Sequence, residues 1–252
     1  MNKINKLHNI RMYERFNKNS LGNDYFVGDI HGEYDLLILL LNHINFDSNK
    51  DRLFSVGDVC DRGPKSIECI ELSRSSWFFP VIGNHESFIL DFNNDNIYAN
   101  KIWRMNGGDW WFDLDKNKQK DLKKTINDNF TFSLEVQSDF GNVGLVHSNY
   151  PHSTWPITNI NKSQIDTKRI LWGRNSDQPK IPELDLLITG HTPQKKPNYN
   201  GFNLNIDTGS GYQPNEKIYK PSLTICNIYN RKFNFFSAYS GEVSMYTMGE
   251  DC

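Results

Sequence analysis

Along the chain, apolar and polar positions repeat one local pattern: a short apolar run, an abrupt polar loop edged by glycine, then a longer stretch with helical spacing. Asp24 to Val27 runs into Gly28-Asp29-Ile30-His31-Gly32, and from Glu33 leucines and isoleucines between 36 and 44 cover more than one face of a helix. Such a helix must pack well inside the fold. Arg52 to Val56 empties into Gly57-Asp58-Val59-Cys60-Asp61-Arg62-Gly63, with a helix expected over Lys65 to Arg74. Trp77 to Ile82 empties into Gly83-Asn84-His85-Glu86, with a helix through Asp91. Three strand, loop, helix units in a row predict a parallel α/β core whose short loops gather at one edge.

The remaining chain is less regular. Met1 to Asn23 is a polar lead-in, with a short strand or helix around Ile10 to Phe16 and no evident chemistry. Tyr98 to Phe130 is helical, broken at Gly107-Gly108, and its lysine-rich stretch Lys116 to Lys124 reads as the solvated face of a covering insertion rather than a basic binding patch. Phe132 to Val136 and Gly144 to Val146 predict a hairpin ending at His147. Pro151 to Gln178 is loop-rich and carries Leu171-Trp172-Gly173-Arg174, and Leu184 to Thr189 is a buried strand ending in Gly190-His191-Thr192-Pro193. Phe202 to Ile206 and Leu223 to Phe236 alternate and predict antiparallel strands. With no further repeat and no linker, one domain is expected over 1–252, its core from about 24 to 236.

Composition narrows the function classes. A chain of 252 residues can bury a substantial core, and 13% aromatics offset a low hydrophobic content of 37%. A net charge of −2 and a pI near 6.4 argue against a dedicated nucleic-acid or membrane-surface binder. No apolar run has transmembrane length, and Met1 to Arg15 is polar and basic without a signal-peptide core, so the expected compartment is the cytoplasm. Cys60, Cys69, Cys226 and Cys252 show no CxxC spacing and read as reduced thiols.

Chemistry concentrates at five strand ends: Asp29 and His31; Asp58, Asp61 and Arg62; Asn84, His85 and Glu86; His147; His191. His8, His43 and His152 stand in polar or helical contexts and read as surface or packing residues. Any one of these ends alone would be an ordinary polar turn. Five together, all following apolar strands, suggest a metal centre. Aspartate, histidine and asparagine without thiolates suit manganese, iron or zinc, and the ligands suffice for two divalent ions sharing one carboxylate.

These segments also resemble a known family. Gly28-Asp-Ile-His-Gly, Gly57-Asp-Val-Cys-Asp-Arg-Gly, Gly83-Asn-His-Glu, His147 and Gly190-His-Thr-Pro stand in the order of the phosphoprotein phosphatase metallophosphoesterases, nearest their lambda-type serine/threonine branch. Asn106-Gly-Gly, Trp111-Phe-Asp-Leu-Asp, Val146-His-Ser-Asn-Tyr-Pro, Leu171-Trp-Gly-Arg and Ile206-Asp-Thr-Gly extend the likeness over roughly 24 to 230. The resemblance implies a four-layer α/β/β/α sandwich of two mixed sheets. It implies that Asp29, His31 and Asp58 hold one ion, and that Asp58 bridges to a second ion completed by Asn84, His147 and His191. It implies manganese as the first choice, with iron or zinc as alternatives. His85 matches the acid that protonates the leaving alkoxide, Asp61 the carboxylate that orients it, and Arg62, Arg174 and Asn84 the groups that bind phosphate. The implied activity is hydrolysis of phosphoserine and phosphothreonine, with phosphotyrosine as an additional candidate, by a hydroxide bridging the two ions. The implied partner is a phosphoprotein or phosphopeptide, with no nucleic acid and no membrane.

One position departs from the pattern. Protein phosphatases of this family usually carry arginine before Gly-Asn-His-Glu, where this chain has Ile82. The symmetric dinucleoside tetraphosphate hydrolases usually have an apolar residue there, which makes them the alternative reading, but they generally lack the aspartate that Asp61 supplies. A phosphoprotein-binding pseudo-enzyme would show eroded ligands, whereas every ligand is present here.

Overall fold

The computed structural model describes residues 10–174 and 178–249. Along the chain run β1 (Glu14–Phe16), β2 (Asp24–Val27), α1 (Tyr34–His43), β3 (Arg52–Ser55), α2 (Ser66–Glu71), β4 (Phe78–Pro80), α3 (Asn84–Asp91), α4 (Ile97–Met105), α5 (Asp109–Phe112) and α6 (Lys116–Asn129). There follow β5 (Leu134–Ser138), β6 (Gly141–Leu145), α7 (Thr167–Trp172), β7 (Leu186–Thr189), β8 (Asn198–Tyr199), β9 (Asn203–Asn205), β10 (Leu223–Tyr229), β11 (Lys232–Tyr239) and β12 (Glu242–Met248).

Alternation within the strands sets the layers, because successive side chains point to opposite faces of a sheet. One six-stranded sheet has the order β12-β11-β10-β2-β3-β4, the other β1-β5-β6-β7-β9-β8. Phe26 and Phe54 of the first sheet join Leu134, Val136, Leu145, Leu186 and Ile188 of the second in one buried cluster, which is the core between the sheets. Tyr25, Val27 and Leu53 take the other side and cluster with Leu37, Leu40 and Leu41 of α1. Each fully buried leucine or phenylalanine contributes about 1.5–3 kcal/mol of transfer free energy, so the two-sided burial of β2 and β3 holds the sheet between its neighbouring layers. Two mixed sheets with helices outside are the expected sandwich. Its outer layers are unequal: α1 lies against β10 and β11, whereas Leu187 of the second sheet shares a buried cluster with Ile170 and Leu171 of α7 and with Tyr150, Trp155 and Leu184 of the loop-rich chain.

β2, β3 and β4 are parallel, as predicted from the three repeated units. β5 and β6 form the expected antiparallel hairpin. The helix expected over Lys65 to Arg74 is α2 extended by a 3-10 turn at Leu72–Arg74. The insertion is three helices, and α6 begins at Asp115, whose carboxylate accepts the N–H groups of Asn117 and Lys118 at 2.8 and 3.0 Å.

Three expectations need correction. The core begins before residue 24: the short strand expected around Ile10 to Phe16 is β1, which pairs in parallel with β5 at the edge of the second sheet, and Ile10 is buried. β9 is antiparallel only to the two-residue β8; it runs parallel to β7, because the chain crosses over between them. The first sheet continues past Phe236, since β12 pairs with β11 along its whole length. Among the described residues no helix is long and apolar enough to cross a membrane. Cys60, Cys69 and Cys226 are buried free thiols; His8 and Cys252 lie outside the described residues.

Candidate active site

The carboxyl ends of parallel strands are where open α/β sheets place ligands, and here two sheets do so at once. The loops after β2, β3 and β4 meet those after β6 and β7. The meeting is tied across the sheets, where His147 Nδ1 donates to the Val56 carbonyl at 2.8 Å and His191 N–H to Asp29 Oδ2 at 3.0 Å, and within the second sheet, where Gly190 N–H donates to the His147 carbonyl at 2.8 Å. Asp29, His31, Asp58, Asp61, Asn84, His85, His147 and His191 are all buried.

The backbone is strained where it delivers these groups. His31, Asp58, Asp61, Arg62 and His191 all have φ between 48° and 70°, in the left-handed region that side-chain-bearing residues avoid. Such conformations cost on the order of 1–3 kcal/mol each and persist only where the surroundings dictate them. One device that holds them is Glu86, absent from the predicted site set. Fully buried, it accepts the N–H groups of Asp58, Val59 and Gly83 at 3.0, 2.9 and 2.8 Å, clamping the loop after β3 to the start of α3. At Gly83 a Cβ would stand 2.1 Å from Asp58 Oδ1, so only glycine admits this approach.

Asp58 is the centre. Ligand atoms of Asp58, His147 and His191 lie within 4.8 Å of one another, as do those of Asp58, His31 and His85. Around the first group, His147 Nε2 is 3.4 Å from Asp58 Oδ2, 3.0 Å from Asn84 Oδ1 and 3.2 Å from His191 Nδ1. In the second group His31 Nδ1 donates to the Cys60 carbonyl at 3.0 Å, leaving Nε2 as acceptor, 3.8 Å from Asp58 Oδ2 and 2.7 Å from Arg62 Nη1. Asp29, expected with His31 and Asp58, is in neither group, His85 being the third member of the second; its carboxylate accepts the His191 backbone N–H and its charge acts on Asp58 and His147.

The charges show what the cluster favours. Burial would raise Asp58, but His147, His85 and His31 around it outweigh that and hold its carboxyl well below the usual range. Burial would lower His147, but the field of Asp58 wins and raises it to about 10. His191 is pushed down to about 3 by burial and by His147. Burial and the nearby Asp207 raise Asp29, and burial raises Asp207 to about 6. Asp29 and Asp207 are raised because their buried charge lacks a counter-ion, and Asp58 draws a proton onto His147, so this is a setting in which added positive charge is favourable. Oxygen and imidazole donors of this kind suit a divalent ion. The residues therefore fit a binuclear centre, with Asp58 the one carboxylate common to both groups.

His85 and its partners complete the site. His85 Nδ1 donates to Asp61 Oδ2 at 2.6 Å, so its Nε2 faces Asp58 Oδ2 at 3.9 Å and Arg62 Nη2 at 3.4 Å. Arg62 lies under the ring of Tyr212, 4.0 Å from guanidinium to centroid. Arg174 is exposed just after α7, its charge felt at His191 and Tyr212. Ile82, by contrast, is fully buried in the helix-side core. Sequence reasoning placed Glu86 at a strand end without giving it a role, and it missed Asp207, Tyr212, Trp103 and Trp110. Asp207 had a signal in Ile206-Asp-Thr-Gly; the tryptophans, at helical spacing, look like core. His43 and His152 lie apart from the cluster, as expected.

This arrangement has relatives. A family model described as calcineurin-like phosphoesterase matches residues 25–228. The chain belongs to that family and is a metallophosphoesterase. It is 33% identical over 190 residues to serine/threonine-protein phosphatase 1 of Salmonella typhimurium, covering 73% of this chain and 85% of that protein. A shorter stretch of 68 residues is 44% identical to the symmetrical bis(5'-nucleosyl)-tetraphosphatase of Aliivibrio salmonicida, 26% of this chain and 25% of that one. Among solved structures, a protein serine/threonine phosphatase from Saccharomyces cerevisiae with similarity to human phosphatase PP5 shares the fold. Its TM-score is 0.59 at 12% identity, over 98% of this chain and 86% of that one.

Proposed function

We propose that this protein hydrolyses phosphoserine and phosphothreonine esters of proteins in the cytoplasm, using two divalent ions, manganese first among them. Asp29, His31 and Asp58 would hold one ion and Asp58, Asn84, His147 and His191 the other. When bound, such ions neutralise phosphoryl charge and activate a water as nucleophile.

The chain's own residues supply the rest. Arg62, with Arg174 at the rim, neutralises and orients the phosphoryl group, for which the planar guanidinium fork is suited. His85 Nε2, pointing into the cluster because Nδ1 is engaged by Asp61, hands a proton to the departing oxygen as the P–O bond breaks. Phe88 packs edge-on to His85 at 5.8 Å and to the partly exposed Trp172 at 5.4 Å, an aromatic border suited to the ring of phosphotyrosine.

The observation that carries this reading is the 2.6 Å bond between His85 and Asp61. A serine or threonine ester expels an alkoxide, a poor leaving group that needs a proton. A dinucleoside polyphosphate expels a phosphate, which needs none. A buried, oriented acid is therefore chemistry for the ester. Similarity along the length of the Salmonella protein supports the same substrate. The alternative, cleavage of dinucleoside tetraphosphates, rests on the 68-residue stretch and on Ile82. Ile82, though, packs in the core, where an apolar residue is accommodated whichever substrate is cleaved.

The test is side-by-side turnover, with manganese, of a phosphoserine/phosphothreonine peptide, a phosphotyrosine peptide and diadenosine tetraphosphate, with Asp58→Asn as the blank. The peptides are expected to be cleaved with higher kcat/KM. Preference for the dinucleotide would overturn the reading.

A further inference from the structure

The helical insertion, read from sequence as a cover, reaches the reacting centre through two indoles. Trp103, near the end of α4, donates Nε1–H to Asp61 Oδ2 at 2.7 Å, and Trp110 in α5 donates its Nε1–H to Asp61 Oδ1 at 2.7 Å. With His85 Nδ1, the fully buried carboxylate accepts three N–H donors, two on one oxygen and one on the other. The Asp61 backbone is held as well, its N–H donating to Ser66 Oγ at 2.8 Å. Between the two helices the turn at Asn106-Gly107-Gly108 presses on the same loop. Arg62 N–H donates to the Gly107 carbonyl at 3.2 Å. A Cβ at Gly107 would stand 2.5 Å from Arg62 N, and one at Gly108 2.2 Å from Trp103 Nε1. The paired glycines are what allow α4 and α5 to bring both indoles onto one carboxylate.

We infer that Trp103 and Trp110 are positioning residues that clamp Asp61, and through it fix the direction of the His85 imidazole. This rests on the assignment of His85 as the proton donor to the leaving oxygen. An aspartate with one partner can rotate its carboxyl group and carry the imidazole with it; one held at both oxygens cannot. The indole N–H donates without itself exchanging a proton at working pH, so it orients Asp61 without competing for the proton that His85 delivers. Two rigid donors approaching from one insertion give the kind of surrounding support that holds a catalytic group to its productive geometry.

The insertion contains its own control. Trp111 belongs to the same aromatic cluster, 5.6 Å from Trp103 ring to ring, and is fully buried, yet its Nε1 has no hydrogen-bond partner among the described residues. Trp103→Phe and Trp110→Phe keep an aromatic ring and remove the N–H on Asp61; Trp111→Phe keeps a ring and removes an N–H with no partner among the described residues.

The experiment measures kcat on the manganese-loaded full chain with two phosphate monoesters. An alkyl phosphate has a leaving group that must be protonated; p-nitrophenyl phosphate has one that leaves unaided. Trp103→Phe is expected to lower kcat on the alkyl ester by about 10-fold or more, a part of the 10²–10⁴-fold that general acid catalysis supplies, and to lower the aryl ester far less. Trp110→Phe should do the same to a smaller extent, and Trp111→Phe should leave the alkyl-to-aryl ratio unchanged. In a His85→Asn background Trp103→Phe should have no further leaving-group-dependent effect, because the two act as one unit. In the metal-free protein, the downfield proton signal of the His85–Asp61 hydrogen bond should shift in Trp103→Phe and stay in Trp111→Phe.

Equal losses on both esters, or the same loss in the His85→Asn background, would show that the indoles only support the fold and would overturn the inference. If Trp103→Phe failed to fold, the half-buried Trp110→Phe would carry the same comparison. Should His85→Asn itself lose nothing on the alkyl ester, the acid assignment and the clamp would fall together. A loss in His85→Asn without one in either tryptophan variant would remove the clamp alone.

Discussion

The loops after β2, β3 and β4 and the loops after β6 and β7 meet at the same cluster but are built differently. The first three carry several polar groups each, and much of their order is local to that half of the chain. Glu86 gathers three N–H groups from two of them, and His85 N–H donates to Asp58 Oδ1 at 2.9 Å. The last two contribute one histidine apiece and are held mainly from outside, by the Val56 carbonyl for His147 and the Asp29 carboxylate for the His191 backbone. One half of the centre is thus shaped by its own loops. The other half takes its place only once the sheets have packed.

That difference can be broken at its common point. Asp58→Asn removes the carboxylate shared by both groups and should take turnover to background with loss of both ions, read by metal analysis and by hydrolysis of an aryl phosphate. His191→Ala should be milder and one-sided. It is expected to lose the ion of the His147 group while the other is retained, with turnover down at least ~10-fold, the lower end of what even outer partners of metal sites cost.

Two stability measurements sharpen the contrast within the first half. Ile82→Arg would place a charge in an apolar core where nothing pairs with it. A cost of roughly 3–5 kcal/mol is expected, seen as a fall in Tm on the order of 10 °C for a chain of this size; a gain in turnover without loss of stability would contradict the placement of Ile82. Glu86→Gln turns one acceptor oxygen into an N–H donor facing backbone N–H groups. Leaving buried donors unsatisfied should cost about 1–3 kcal/mol, with Tm lowered by roughly 2–4 °C per kcal/mol. If metal content and the geometry at Asp58 survived that change intact, the loops would not depend on the clamp.

The sequence by itself determined the parts of the molecule whose physics is local. Short apolar runs marked β2, β3, β4 and β7, a helix was expected after each of the first three, and the abrupt polar loops marked Asp29, His31, Asp58, Asp61, Arg62, Asn84, His85, His147 and His191. A strand end that breaks into charge is recognisable without its neighbours. Tertiary structure alone decided what depends on chain segments far apart. It set β9 parallel to β7, brought β1 and β12 to the sheet edges, and put Ile82 in the core. It also turned two helical tryptophans toward Asp61, more than 40 positions earlier in the chain. An indole at helical spacing carries the same apolar signal whether its N–H meets a carboxylate, as in Trp103, or no partner among the described residues, as in Trp111. Only packing places the acceptor, and packing is not written in any single stretch.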